Sequence, residues 1–318
     1  TGNGPGNEKG DRKRGEISFT LDRIKRKDEA RIFYKPYYRR EDFDDERYSP
    51  TFTPLVYPGQ IMKIDAVVER FSGQRISIAP YVRDSSTKKI LSGKELFPES
   101  GSSFAVDWKI PCVPFAVDEA GLLIRGIDSE KFLGELTIYN YSISGCKSFY
   151  IDFADEVEEF RGLSRCSLTG GSWSIEDDQL HVITNETFQL YAGPYYSSDY
   201  NVETVLTPLF GISHLVSFRS IGAERGYFFG LHGSNKIALI KRDHENLVLE
   251  ETDFLWEMGK SYTLKVEAIA GVFRCFIDGK ELISFEDKEA FPTGMAGLGK
   301  LEPGRTKFRS FSFSEIQE

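Results

Sequence analysis

Three stretches of the sequence combine tyrosines with polar residues, which is the chemistry that sugar recognition needs. The first stretch contains Tyr34, Tyr37, Tyr38 and Arg39. A flat tyrosine ring packs against the apolar face of a sugar, while its hydroxyl and a neighbouring guanidinium bond the sugar hydroxyls. Tyrosine serves equally well at the edge of a sandwich core, because the side chain has an apolar body and a polar tip. The stretch is therefore either a ligand surface or a structural contact.

The second tyrosine stretch follows the same logic. Tyr191, Tyr195, Tyr196 and Tyr200 lie close together in the sequence, with Asp199 and Asn201 nearby. The acid and the amide are planar polar groups of the kind that bond sugar hydroxyls. This stretch is likewise either a ligand surface or a contact at the edge of a core.

The third stretch, RGYFFGLH, runs from Arg225 to His232. Strand alternation predicts that Tyr227 lies on one face with Phe229, and Phe228 on the other. Arg225, Tyr227 and His232 are then candidates to meet a ligand in a concave sheet. Ordinary strand ends explain the arginine and the histidine equally well.

An acidic run supplies oxygen ligands that suit a calcium ion. Asp42, Asp44 and Asp45 are the candidate ligands for a structural calcium. The alternative is a surface loop whose charge is balanced by Arg40 and Arg47, because the run lacks a defined ligand spacing. No other cofactor is expected.

Residue patterns of catalytic centres are missing from the sequence. The Thr-Gly-Gly-Ser-Trp segment at 169–173 lacks the second glycine of a nucleophile elbow. No HExxH motif occurs, and no pair of acids has the spacing of a jelly-roll glycosidase. The histidines are scattered at His181, His214, His232 and His244. We therefore expect a chain that binds a ligand and does not catalyse.

Charge and hydropathy exclude two classes of partner. The net charge is −9 and the pI is about 5.2. A nucleic-acid backbone needs a basic surface, so nucleic acid is not expected as a ligand. No apolar run approaches the roughly 20 residues that cross a bilayer as a helix, so a membrane is not expected either.

Four cysteines bear on the compartment, and their spacing is irregular. Cys112, Cys146, Cys166 and Cys275 contain no CxxC pair. Four cysteines in a chain of 318 residues do not form a disulfide scaffold, which favours buried thiols and a cytoplasmic location. The alternatives are a secreted protein and a Cys146–Cys166 bridge.

The elements that must position these residues are strands. Met62, Ile64, Ala66 and Val68 alternate with polar residues, and similar period-two patterns recur along the whole chain. Many short strands with turn signals between them predict an all-β protein of two consecutive β-sandwich, or jelly-roll, domains. We expect a flexible linker or expression remnant at 1–15, a galactose-binding-like sandwich at 16–148 and a second sandwich at 149–318.

The second half resembles the concanavalin-like, or laminin-G-like, jelly rolls of glycan-related proteins. The stretches that carry the resemblance are GSWSIEDDQL at 171–180, SYTLKV at 261–266, FIDG at 276–279, PTGMAGLG at 292–299 and FRSFSF at 308–313. The resemblance implies the fold and leaves the ligand open, because this fold carries many ligands.

Both halves together resemble the accessory β-domains of bacterial ADP-ribosylglycohydrolase-family proteins. The matching stretches are FYKPYYRREDF at 33–43, YSPTFTPLVYPG at 48–59, APYVRD at 79–84 and GELTIY at 134–139. The resemblance implies a helical catalytic domain, with acids that hold magnesium, elsewhere in the parent chain. This chain would then be a non-catalytic region that recognises a carbohydrate or an ADP-ribosyl ligand.

Three other functions stay open. The chain is alternatively a tandem of carbohydrate-binding modules from a secreted glycoside hydrolase. It is alternatively a jelly-roll glycoside hydrolase, which would need two paired acids, or a structural docking module without a small ligand.

Overall fold

The computed structural model describes residues 16–24, 28–36, 56–72, 75–85, 87–111, 117–127, 132–155, 158–159, 162–163 and 166–316. Several predicted features lie outside these residues. They are the segment 1–15, the ligand candidates Tyr37, Tyr38 and Arg39, the calcium candidates Asp42, Asp44 and Asp45, and Cys112.

The fold is all-β, as predicted, and the first sandwich is built from eight strands. They are β1 (Ile17–Ile24), β2 (Glu29–Tyr34), β3 (Ile61–Ser72), β4 (Ile76–Asp84), β5 (Ile90–Ser92), β6 (Ser103–Lys109), β7 (Val117–Gly126) and β8 (Phe132–Ser144). One sheet has the order β1-β8-β3-β6 and the other has the order β2-β7-β4-β5. All of these pairings are antiparallel.

The first core lies between these two sheets. Ile64 and Leu136 point inward from one sheet, and Ile78 and Leu122 point inward from the other, all four fully buried. The alternation read from the sequence thus places one face of each strand in a shared apolar layer.

The second sandwich begins with β9 (Ser148–Asp152), which a short 3₁₀ turn (Phe153–Asp155) follows. Its smaller strands are β10 (Glu158–Glu159), β11 (Gly162–Leu163), β12 (Cys166–Thr169), β13 (Ser172–Glu176), β14 (Gln179–Thr184) and β15 (Phe188–Ala192). The next strands are β16 (Tyr200–Gly211), β17 (Ser213–Ser220), β18 (Arg225–His232), β19 (Lys236–Asp243) and β20 (Glu245–Asp253). The last are β21 (Tyr262–Ile269), β22 (Val272–Ile277), β23 (Lys280–Glu286), β24 (Met295–Lys300) and β25 (Gly304–Glu315).

Two large sheets form this second sandwich. A nine-stranded sheet has the order β10-β11-β12-β15-β24-β17-β18-β19-β20. An eight-stranded sheet has the order β13-β14-β25-β16-β21-β22-β23, with β9 paired to β25. The chain thus changes from one pair of sheets to the other at residues 145–147. Among the described residues, no helix has the length and hydropathy to cross a membrane.

The strand β18 in the nine-stranded sheet is buried on both of its faces. Its inner face contributes Tyr227 and Phe229 to the core between the sheets, whereas Phe228 and Leu215 form a separate buried cluster on the outer face. The predicted opposite placement of Tyr227 and Phe228 is therefore confirmed. A strand that is buried on both faces needs apolar residues on both, which explains why β18 shows no alternation of apolar and polar residues.

Candidate functional site

A groove of about 580 Å³ lies between the two sandwiches. Pro58 and Lys109 line it from the first sandwich, and Phe149, Tyr150 and Phe313 line it from the second. Tyr150 is 56% exposed, so its ring is open to solvent. Ligand sites commonly lie at such interfaces between domains, in clefts of roughly 300–1,000 Å³.

Three stacked aromatic rings form an aromatic wall at this groove, which Phe149 and Phe313 line and which Tyr57 supports from behind Phe149. Tyr57 of the first sandwich stacks on Phe149 with 5.5 Å between ring centroids, and Phe149 stacks on Phe313 at the same centroid distance. Phe149 faces inward on β9, opposite Phe313 on β25, so the strand pairing fixes its ring. The wall therefore belongs to both sandwiches.

A pair of exposed tyrosines lies in the loop that begins at the aromatic wall. Gly193 has a φ of 79°, and a Cβ at this position would lie 3.5 Å from the rings of Phe149 and Phe313. Two residues later come Tyr195 and Tyr196, which are 41% and 80% exposed. Their rings meet edge to face with 5.1 Å between centroids. The pair offers a flat ring to solvent while its partner supports it from the side.

An ion pair anchors the loop that carries the tyrosines. Lys147 donates to the Glu315 carboxylate from both its backbone nitrogen and Nζ, each at 2.9 Å, and Ser197 donates its hydroxyl to the same group. Burial alone would raise the pKa of Glu315, but the hydrogen bonds from Ser197 and Lys147 outweigh it and lower that pKa. Glu315 is therefore a charged anchor at neutral pH.

Tyr34 lies apart from these residues, in the first sandwich. It lines an apolar groove of about 240 Å³ together with Ile17, Phe33 and Tyr141. The described part of the first predicted stretch is thus an open apolar edge, and its arginine partner lies outside the described residues.

The structure places Tyr227 inside the second core, which corrects its assignment as a ligand contact. The ring is fully buried against Phe273, and the hydroxyl donates to Asp287 at 2.7 Å. A side chain that fills the core and is bonded within it has no surface to offer a sugar. The residue pattern alone does not reveal this, because tyrosine suits both positions.

Arg225 and His232 do not come together. They lie at opposite ends of β18, about 23 Å apart at 3.3 Å per residue. Arg225 binds Asp243 at 2.8 Å and lies over the ring of Phe291. A single small ligand does not span both residues, so the third predicted stretch does not form one site.

Tyr191 lies on the outer face of the nine-stranded sheet and is almost fully buried. Burial raises its pKa to about 12. Its hydroxyl donates to Gln189 on the same strand. It is therefore separate from the exposed pair at Tyr195 and Tyr196, although the sequence places the three close together.

The described residues contain neither a metal-binding cluster nor a disulfide bond. No cluster of three or more histidine, cysteine or acidic side chains suited to a metal occurs among the described residues. Cys146 carries a free thiol, so the alternative Cys146–Cys166 bridge is not formed. Cys275 is free and fully buried, and burial raises its pKa.

Sequence reasoning missed the groove residues Lys109 and Tyr150, and Tyr57, which stacks on the groove residue Phe149. They come from distant parts of the chain and meet only where the two sandwiches touch. The one local signal was the Tyr-Pro-Gly turn at 57–59, which precedes β3.

Comparison with known proteins gives relatives in structure only. No family model and no curated protein matches the chain. The chain is similar to the carbohydrate-binding module CBM66 from Bacillus subtilis, with 20% identity, coverage of 45% of this chain and 91% of that chain, and a TM-score of 0.42. It is similar to a protein of unknown function with a galectin-like fold from Bacillus subtilis, with 13% identity, coverage of 48% and 90%, and a TM-score of 0.40.

A third similar structure is domain 4 of AbnA, an extracellular arabinanase from Geobacillus stearothermophilus, in complex with arabinotriose. The identity is 14%, the coverage is 48% of this chain and 82% of that chain, and the TM-score is 0.36. With values this low, the ligand of the present chain has to be argued from its own residues.

Proposed function

We propose that this chain is a non-catalytic carbohydrate-binding protein whose ligand lies on the Tyr195–Tyr196 pair and extends into the groove between the sandwiches. The observation that carries the proposal is the exposed, edge-supported tyrosine pair next to the aromatic wall. Sugar rings present apolar faces to such rings and hydroxyls to the polar groups around them.

The groove supplies both kinds of contact. The ring of Tyr150 is an apolar surface, and Lys109 carries an ammonium that donates hydrogen bonds to sugar oxygens. Gly193 and Ser197 tie the loop that carries Tyr196 to β9 and β25, and Phe149 and Phe313 of these two strands line the groove. In this proposal an oligosaccharide that stacks on the pair continues into the groove.

The lining of the groove supports binding without hydrolysis. Glycosidases place two carboxyl groups about 5–9.5 Å apart across the scissile bond. The described residues that line this groove include no carboxylate. Glu315, which lies next to it, is occupied by Lys147 and Ser197.

The predicted link to ADP-ribosylglycohydrolase-family proteins, with a catalytic domain in the same parent chain, stays a prediction. An adenine ring stacks on tyrosine much as a sugar face does. ADP-ribose therefore belongs in the same panel of ligands as the neutral oligosaccharides.

The test is a glycan array that includes ADP-ribose, followed by calorimetric titration of each ligand that binds. We expect saturable binding to a neutral glycan, and we expect the Tyr196→Ala and Tyr195→Ala variants each to weaken it roughly tenfold, as loss of a central aromatic contact does. Tyr139→Ala is the matched control, because Tyr139 is an exposed tyrosine on β8, away from the groove. Equal affinity of the wild type and a Tyr195→Ala/Tyr196→Ala double variant would refute the proposal.

A further inference from the structure

The tip of the β17–β18 hairpin, residues 221–224, folds over the outer face of the nine-stranded sheet. The carbonyl of Ala223 accepts a hydrogen bond of 3.1 Å from Nε2 of Gln189. Gln189 lies on β15, which is separated from β17 by β24. A hairpin that continued straight along its strands would not reach this side chain, so the tip is bent across the sheet.

A bulge in β17 causes the bend. The pairing of β17 with β24 is irregular between Ser217 and Ser220, and Arg219 within it has a φ of 45°. The backbone nitrogen of Arg219 donates to the hydroxyl of Tyr200 at 2.5 Å, and its Nη1 donates to the carbonyl of Phe291 at 2.8 Å. Bulges of this kind re-aim a strand and recur beside functional sites. The bent tip is therefore built into the core and is not a loose turn.

Polar groups without partners lie near the bent tip. The hydroxyls of Ser217 and Ser220 are fully buried and form no hydrogen bond with any described residue. Ser217 lies in register between Gly297 and Phe228 on the outer face, and Tyr191 is opposite Gly297 on the other side. Buried hydroxyls of this kind are normally satisfied by water or a ligand, and each exception requires an explanation.

Arg242 adds a cation to the same face. Its strand, β19, pairs with Gly226 of β18. Its guanidinium is 12% exposed, and Nε and Nη1 have no partner among the described residues. Nη2 alone is bonded, at 3.2 and 3.1 Å, to the two carboxylate oxygens of Glu224 in the bent tip.

The Glu224 carboxylate thus occupies one nitrogen of the Arg242 guanidinium, and the other two nitrogens keep N–H groups without a partner among the described residues. The side chain of Glu224 is 55% exposed, so water competes with this ion pair and the pair is easily exchanged. A carboxylate that approaches Nε and Nη1 would form charge-assisted hydrogen bonds in a more buried setting. Neighbouring serine and tyrosine hydroxyls then suit a ligand that also carries hydroxyl groups.

We propose that residues 221–224 form a lid over a binding site for a sugar acid, whose carboxylate replaces Glu224 on Arg242 and whose hydroxyls bond Ser217, Ser220 and Tyr191. The closed lid is the ligand-free state, latched by Gln189 at Ala223 and by Arg242 at Glu224. This site uses other side chains than the Tyr195–Tyr196 pair and does not depend on the proposed function.

The experiment compares galacturonate and glucuronate with galactose and glucose by calorimetric titration of the full chain. We expect at least one acid to bind saturably and neither neutral sugar to bind at this site. Glu224→Gln removes the internal competitor and should bind the acid severalfold more tightly, because the closed state loses its charged latch. Arg242→Gln should weaken binding of the acid roughly tenfold or more.

Two controls keep the result interpretable. Arg305→Gln removes an exposed arginine on the other sheet and should leave binding of the acid unchanged. The Tyr195→Ala/Tyr196→Ala variant should also leave it unchanged, which separates this site from the tyrosine pair. If Arg242→Gln does not fold, the wild-type and Glu224→Gln titrations decide alone. Absence of saturable binding of either acid to both proteins overturns the proposal, and so does an acid affinity that folded Arg242→Gln retains.

Discussion

Arg83 donates two parallel hydrogen bonds to the carboxylate of Asp118, one of 2.9 Å from Nε and one of 2.8 Å from Nη2. The Asp118 side chain is fully buried. The same Nη2 lies 2.7 Å from Glu119, which is also buried. Lys88 also pairs with Asp118, and Arg31 with Glu119, each at 2.9 Å, so three cations compensate two buried acids. Such a pair is stabilising only while both signs are present, because an isolated buried charge is strongly unfavourable.

We expect Arg83→Met to lower the free energy of unfolding by roughly 1–3 kcal/mol, since Asp118 and Glu119 lose charge-assisted hydrogen bonds but keep Lys88 and Arg31 as partners. Urea denaturation at neutral pH measures the change. Lys63→Met is the control, because Lys63 and Asp107 form an exposed pair 3.5 Å apart. That control should change stability by less than about 0.5 kcal/mol. An Arg83→Met protein as stable as the control would show that the acids are solvated.

Lys300 predicts a distinct dependence of stability on pH. Its ammonium is fully buried between the two large sheets, bonded to the Ser213 carbonyl at 2.5 Å and to Thr306 at 3.2 Å. Burial lowers the pKa of Lys300 from 10.5 to about 7. Between these pH values the unfolded chain holds a proton that the folded chain lacks, so this group makes stability rise with pH from about 7 to 10.5.

We expect Lys300→Met to remove this slope, which is at most about 1.4 kcal/mol per pH unit, and to be more stable than the wild type near neutral pH. Urea denaturation of both proteins across that pH range measures the difference. Subtracting the two profiles cancels other titrating groups. Parallel profiles for the two proteins would mean that Lys300 keeps its proton in the fold.

The stacking of Tyr57 on Phe149 joins the two sandwiches, and its loss should lower stability. Tyr57 buries its ring almost fully on Phe149, and its backbone nitrogen donates a hydrogen bond of 2.8 Å to Oε1 of Gln60. Tyr57→Ala should lower the free energy of unfolding by about 3 kcal/mol and increase the radius of gyration in solution scattering. Tyr57→Phe keeps the stacked ring and should retain most of both properties. Equal behaviour of the two variants would contradict a stacked joint.

The bulge in β17 needs a residue without a side chain at position 294, where Gly294 packs against Arg219. The φ of Gly294 is 156°, and a Cβ there would lie 2.3 Å from the carbonyl carbon of Arg219. Gly294→Ala should therefore displace the bulge and lower stability by roughly 2–4 kcal/mol. Gly101→Ala is the control for backbone strain alone, because Gly101 has a φ of 75° and open space around it. That control should lose only about 1 kcal/mol in thermal denaturation, and a similar loss in both variants would exclude the clash.

Period-two patterns predicted the class of fold because they report directly which face of a strand is buried. In β3, for example, Met62, Ile64 and Ala66 all point into the first core. The exposed pair Tyr195 and Tyr196 was also within reach of the sequence, because tyrosines in a Pro-containing loop between strands are seldom core residues.

The remaining features depend on contacts between distant residues. Tyr227 was assigned to a ligand surface because strand alternation placed it on one face of a concave sheet, between Arg225 and His232. Only the sheet order shows that both faces of this strand are buried. The joint between Tyr57 and Phe149 unites residues from two separate sandwiches. The bent hairpin tip depends on a single residue, Arg219, with a positive φ, which no local pattern announces.

The antiparallel pairing of β9 with β25 has a mechanical consequence. Ser148 lies opposite Ser314, and the backbone nitrogen of Glu315 donates to the carbonyl of Lys147 at 2.9 Å, so the chain enters and leaves the second sandwich at adjacent points. Tension applied between these points pulls perpendicular to the two strands and loads one hydrogen-bonded pair at a time. The second sandwich would therefore unzip under low force from the side of the first, whereas strands pulled along their length would resist in shear.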